Sequence, residues 1–168
     1  MGSEPMRALT VRPPWSWAIA HGGKSVENRG WPTTYRGLLA IHGGARSRWD
    51  PDGEASPLIR EAWAARARSR PNAHNSIWLL RKTTEWMAFG AVVAAAELRS
   101  CCWPADCPRG NGCSPWAVVG QYHWQLANVR PLAEPVPCRG ALGLWRLPAD
   151  VEEKVRAQLG ARDVEASR

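Results

Sequence analysis

Lys24, Glu27 and Arg29 follow directly on a Gly22-Gly23 pair, in the run Gly23-Lys-Ser-Val-Glu-Asn-Arg-Gly-Trp31. An ammonium held beside a carboxylate can keep or move a proton, because each group tunes the charge state of the other. The same residues can equally serve as an ion-paired tether for a turn. In a regular strand Lys24 and Glu27 face opposite sides, so a joint role needs a bend just after the glycines. Arg12, Trp15, Trp31, Tyr35 and Arg36 stand around this run. Cations and flat rings together are the materials for phosphate contacts and base stacking. His42 ends an apolar segment and reaches towards the same cavity, or serves as a structural hydrogen-bonder. His123, between Tyr122 and Trp124, has the same two readings, while His21 and His74 are peripheral. Neither a Ser-His-Asp order nor a phosphate-cradling glycine loop is present.

The five cysteines are Cys101, Cys102, Cys107, Cys113 and Cys138. Their odd number points to reduced thiols and away from a disulfide framework. Four of them fall in Cys101-Cys-Trp-Pro-Ala-Asp-Cys-Pro-Arg-Gly-Asn-Gly-Cys113, with gaps of zero, four and five residues. That density invites a zinc reading, but the gaps do not match paired C-x₂-C ligands. The expectation is free thiols in a surface loop, with no metal and no cofactor.

The elements that must position these residues are short. Residues 6–11 read as a strand ended by Arg12-Pro-Pro. Residues 15–21 read as a helix with Trp15, Ala18 and Ile19 inward, stopped by Gly22-Gly23. Residues 24–29 and 38–42 read as strands, and 55–69 as a helix whose apolar stripe is Ile59, Ala62 and Trp63. Residues 70–85 carry no clear pattern. A strand over 89–98, a loop over 101–115, strand-like segments over 122–129, a proline-interrupted stretch over 131–137 and a strand over 141–147 follow. A helix over 151–159 closes the pattern. Five or six short strands among helices, without regular βαβ alternation, describe a small α+β barrel. The expected organisation is a leader (1–5), one domain (6–159) and a polar tail (160–168).

The chain has 168 residues, with 22 Lys+Arg against 15 Asp+Glu and a net charge of +7. Forty-five per cent hydrophobic residues exclude a disordered chain, and no apolar run reaches the roughly 20 residues of a membrane span. No targeting segment is visible, so the expected setting is cytoplasmic, without a membrane partner. The charge is uneven: residues 1–85 carry 13 basic and 7 acidic side chains, residues 86–168 carry 9 and 8. Such asymmetry suits a polyanionic partner, though 19 of the 22 cations are Arg, which also fits genome-composition bias. Eleven tryptophans add rings that either fill a core or stack on bases. Arg66 and Arg68, with Arg46, Arg48, Arg60, Arg70, Arg81 and Lys82 nearby, are the expected track for flanking phosphates, sharing a face with Arg29 and Arg36.

Arg12-Pro-Pro-Trp-Ser-Trp-Ala, Gly23-Lys-Ser-Val-Glu-Asn-Arg-Gly-Trp31, Tyr35-Arg-Gly37 and Leu39-Ala-Ile-His42 together resemble the activating-signal-cointegrator homology (ASCH) domain family. That family's core reads G-x-K-x-x-E-x-R after a Q/R-P-W turn. Val129-Arg-Pro-Leu and Gly143-Leu-Trp-Arg resemble its closing strands, so the likeness spans residues 6–147. It implies a PUA-like fold, a small mixed β-barrel with flanking helices, and a pocket at Lys24, Glu27 and Arg29 with Trp15 and Trp31 close by. The family includes nucleic-acid-binding modules, ribonucleases and a bacterial branch that hydrolyses the amide of acetylated cytidine. That branch carries Thr where this chain has Glu27, and a carboxylate does not replace a hydroxyl nucleophile in the same role. The expected function is nucleic-acid binding, RNA or DNA, with a nucleotide or base in a cleft lined by Arg12, Trp15, Lys24, Glu27, Arg29, Trp31 and Tyr35. The alternative is a hydrolase on RNA or a modified nucleoside, with Glu27 as base on water and Lys24 as its partner.

Overall fold

In the computed structural model, which describes residues 5–45, 57–68, 88–107 and 113–165, the apolar run after Gly90 becomes the centre of a sheet. The elements are β1 (Arg7–Val11), α1 (Trp15–His21), β2 (Val26–Arg29), β3 (Gly37–Gly43), α2 (Pro57–Arg68), β4 (Ala91–Cys102), a 3₁₀ turn (Pro104–Asp106), β5 (Tyr122–Pro137), β6 (Leu144–Arg146) and α3 (Ala149–Glu165). The sheet runs β2-β5-β4-β3-β1-β6. Among the described residues only β1 and β3 pair parallel, Leu9 opposite Ile41; the other described pairs are antiparallel. The ladder between β4 and β5 shifts register at three places. Each bulge adds local twist, and the sheet curls into a half-barrel with β2 and β6 at its edges.

Alternation along the strands sorts the core onto two faces. Leu9, Val11, Leu39, Ile41, Ala94, Leu98 and Trp124 pack with Ile19 of α1 on one face. Ala8, Ala40, Val92, Ala95, Leu132 and Val136 face Val151, Val155 and Leu159 of α3, one residue per turn on a single stripe. A third cluster joins the helices: Trp17 stacks on Trp63 with centroids 4.2 Å apart, beside Ala18 and Ile59. No helix among the described residues is long and apolar enough to cross a membrane.

Several expectations are corrected. Trp15 is not inward; it is 37% exposed, and Trp17 takes the buried position. The seven-residue α1 is wedged between the sheet and α2, so Ser16 through Ala20 are all buried and no single stripe governs it. Pro131, Pro135 and Pro137 do not break β5. Among the described residues β2 pairs only with Tyr122–Gln125, and beyond that point no described strand covers that side of β5, so a missing N–H costs nothing there. Cys101 and Cys102 end β4 and do not begin a loop. The strand expected from Lys24 begins at Val26, and that expected over 141–147 spans only Leu144–Arg146. Helix α3 continues to Glu165, into the expected polar tail. The unassigned stretch 70–85, with His74, and Arg46, Arg48, Arg70, Arg81 and Lys82 lie outside the described residues.

Candidate functional site

A bend between α1 and β2 builds the centre of the site. Gly23 adopts φ +72°, a conformation that suits glycine because no Cβ is present to clash. The Lys24 amide then donates back to the Ala18 carbonyl at 3.0 Å. Lys24 therefore precedes the strand, and its side chain folds over onto the Val26 carbonyl and Glu27 Oε2, the latter at 2.9 Å. Glu27 and Arg29, two apart on β2, share a face, and Arg29 meets Glu27 Oε1 at 3.0 Å. Arg29 also donates to the Thr10 carbonyl of β1 at 2.8 Å. Its Nε is buried with no hydrogen-bond partner among the described residues.

This triad lines a cleft of about 570 Å³ between α1, β2 and the connections before β5 and β6. Lys24 and Glu27 are only 2% and 7% exposed, so the pair sits at the floor. Arg12, Trp15, Thr10, Asn28, Leu58, Trp116, Val118, Gln121 and Leu142 form much of the rest. Three cations (Arg12, Lys24, Arg29) face one carboxylate (Glu27) among the lining residues, so the cleft carries excess positive charge. Asn28 holds the far wall: its amide donates to the Trp116 carbonyl at 2.8 Å and accepts from the Val118 amide at 3.0 Å.

Arg12, Trp15, Lys24, Glu27 and Arg29 thus come together, and the other expected residues lie elsewhere. Trp31 packs edge-on against Trp124, whose indole N–H donates to the Trp31 carbonyl at 3.1 Å. The Tyr35 hydroxyl donates to the Leu38 carbonyl at 2.6 Å. Arg36 donates to the Thr33 and Tyr35 carbonyls, fastening its own turn. His42 is buried against Trp145, with Nε2 at 3.0 Å from the Cys138 carbonyl and Nδ1 without a partner among the described residues. Burial lowers its pKa, and the Cys138 hydrogen bond offsets part of that. Arg66 lines a second cavity with Trp17, Ala20 and His21, while only Leu58, near the opposite end of α2, reaches the cleft. Arg68 is exposed. Trp116 is the cleft ring that sequence reasoning missed; a Pro-Trp pair in a cysteine-rich connection carries no signal of where it folds back.

The cysteine-rich connection holds a second cluster. Cys102, Cys107, Cys113 and His123 bring their ligand atoms within 4.8 Å of one another. Cys107 is buried, which corrects the expected surface loop. His123 Nδ1 lies 3.2 Å from Cys107 Sγ and 3.6 Å from Cys113 Sγ. As thiols, burial pushes Cys113 up to about 12, with the Cys102 and Cys107 sulfurs adding to the rise. Burial also raises Cys107. At Cys102 burial works against the thiolate, yet hydrogen bonds from Cys113, Cys107 and Gln125 outweigh it and lower the pKa.

In comparisons with family models and with curated proteins, this chain matches none.

Proposed function

We propose that this protein is an ASCH-type, PUA-like domain that binds nucleic acid, RNA or DNA, by holding one nucleotide or base in the Lys24–Glu27–Arg29 cleft. The observation that carries the reading is an exposed ring, Trp15, set beside an ion triad with excess positive charge in one concave site. A cleft of about 570 Å³ falls in the range that small ligands fill, roughly 300–1,000 Å³. Arg12 and Arg29 suit a phosphate, because a guanidinium fork matches its oxygens. Trp15 and Trp116 offer faces for a base. Glu27, already fixed by two cations, presents a rigid acceptor to a base or sugar N–H or O–H.

Titration against single- and double-stranded RNA and DNA at several salt concentrations tests this reading. Binding that weakens steeply with salt is expected, because displaced counterions drive phosphate contacts. No binding at low salt, or a salt-insensitive affinity, contradicts it.

One observation favours a hydrolase as the second reading: the buried Lys24–Glu27 contact at 2.9 Å opens onto the same cleft. There Glu27 takes a proton from attacking water and Lys24 stabilises the developing negative charge. Incubation with labelled RNA and with acetylated cytidine, beside Lys24→Ala and Glu27→Ala, separates the two. Turnover abolished by both substitutions supports the enzyme; binding without turnover supports the module.

A further inference from the structure

We propose that Cys102, Cys107, Cys113 and His123 bind one Zn²⁺ as a structural centre that clamps the connection between β4 and β5. Three thiolates and an imidazole form a zinc ligand set, soft enough to select against magnesium or calcium. The four donors come from three places the chain has to bring together. Cys102 ends β4 and pairs in register with His123 at the start of β5. Cys107 closes the 3₁₀ turn after Trp103, and Cys113, six residues further along the chain, brings its sulfur back to the same cluster.

The histidine is prepared for the role. His123 Nε2 lies 3.0 Å from the Val118 carbonyl, so Nε2 carries the proton and Nδ1 presents a bare lone pair to the sulfurs. Metal-binding histidines are oriented in this way by their other nitrogen. Gln125 donates to Cys102 Sγ at 3.3 Å, a second-layer hydrogen bond of the kind that steadies a thiolate. A tetrahedral zinc with Zn–S near 2.3 Å and Zn–N near 2.0–2.1 Å has S···N edges of about 3.5 Å and S···S edges of about 3.8 Å. The S···N separations of 3.2 and 3.6 Å bracket the first value. The S···S separations of 2.7, 2.9 and 3.3 Å are shorter than the second, so the sulfurs spread by about 0.5–1 Å around the ion. They are also too long for a disulfide, which needs about 2.05 Å.

Binding releases up to three thiol protons to solvent and leaves a four-coordinate ion with no open position, which is a structural site and not a catalytic one. Its mechanical output is defined by hydrogen bonds already described. His123 holds Val118, and Val118 and Trp116 are tied to Asn28 on the cleft wall. Cys101, the neighbouring strand residue, points to the opposite face and packs on the core, so it is outside the set.

Elemental analysis of the whole chain, produced in zinc-supplemented cells and purified without chelator, tests the site. About one zinc per chain is expected, retained in Cys101→Ser and lost in the Cys102→Ser/Cys113→Ser double variant. Since the double variant can fail to fold, wild-type protein is also stripped and titrated with Co²⁺. A thiolate-to-cobalt charge-transfer band with the strong visible bands of a tetrahedral centre is expected, displaced by an equimolar amount of Zn²⁺. A reduced, folded wild type that binds no Zn²⁺ or Co²⁺ overturns the proposal. So does a Cys107–Cys113 disulfide in freshly prepared, zinc-supplied protein, or a cobalt spectrum with no thiolate band.

Discussion

A Lys24→Met substitution leaves Glu27 at the cleft floor with Arg29 as its remaining cation among the described residues, and removes the donor to the Val26 carbonyl. Breaking a buried pair from one side strands a charge, at a cost of about 3–5 kcal/mol. Urea unfolding of Lys24→Met should show a loss of that order, whereas Lys24→Met/Glu27→Leu should recover much of it while abolishing ligand binding. Trp15 makes the opposite case, because its ring is exposed. Trp15→Ala should lower the urea midpoint less than Lys24→Met does, and weaken binding by the worth of one stacked base, about 5- to 150-fold. For His42, burial depresses the folded pKa below its ordinary 6.5. The unfolded chain binds a proton near 6.5 and the native chain does not, so stability is complete above about 6.5 and lost as pH falls through the folded value. His42→Gln should flatten the decline in urea midpoint between pH 7.5 and 5.5; wild type has the same thiol cluster, so that cluster's acid sensitivity cancels. A decline as steep as wild type's assigns the effect elsewhere. The Gly22-Gly23 stop was legible in the sequence, but the bend that joins Lys24 to Glu27 stood there only as a condition, because residues 24–29 read as one strand; the strand begins at Val26, which leaves Lys24 free to fold onto Glu27. Trp31 and Tyr35 were not distinguishable from cleft residues, because ring type and proximity along the chain do not reveal which face of a later strand a ring covers.

Among the described residues, helix α2 is fastened to the fold through Trp63, stacked on Trp17, and through Ile59. Trp63→Ala should cost about 3–5 kcal/mol, and hydrogen exchange should quicken in α2 and α1 more than in β3 and β4. The end of α2 that carries Arg66 and Arg68 is remote from the end that carries Leu58 into the cleft. Arg66→Ala/Arg68→Ala should therefore leave the salt dependence of binding unchanged, while Arg12→Ala lowers its slope by about one; equal slopes for both variants would place phosphates along α2. Strand β3 passes α1 and residue 88 so closely that a Cβ on Gly43 would stand 2.3 Å from the Ala88 carbonyl oxygen. The apolar runs of β3 and β4 and the Ile59-Trp63 stripe were readable from periodicity. The unbroken length of β5 was not, because three prolines signal interruption unless the open side of the strand is already known.

Across the molecule, the cleft and the thiol cluster share one wall, so metal and ligand should be coupled. Stripping zinc should weaken nucleic-acid binding through Trp116 and Val118 without altering the Lys24–Glu27–Arg29 triad; fluorescence titration of loaded and stripped protein measures that difference. Sequence reasoning saw the crowding of cysteines but not their convergence, because the ligands sit on separate elements and the fourth, His123, lies ten residues past Cys113 on the next strand. The position of β1 has a further consequence. It lies between β3 and β6, and Thr10, whose carbonyl receives Arg29, donates its hydroxyl to the Ala141 carbonyl across 131 residues of sequence. The Trp145 indole donates back to the same hydroxyl from 135 residues away. On a ribosome, β1 therefore keeps one edge bare after β3 has paired with it, until residues 144–146 emerge to close that edge as β6. Loops of that length put the rate-limiting search into non-local pairing, and the interval in which the bare edge can meet another nascent chain is set by the speed of translation.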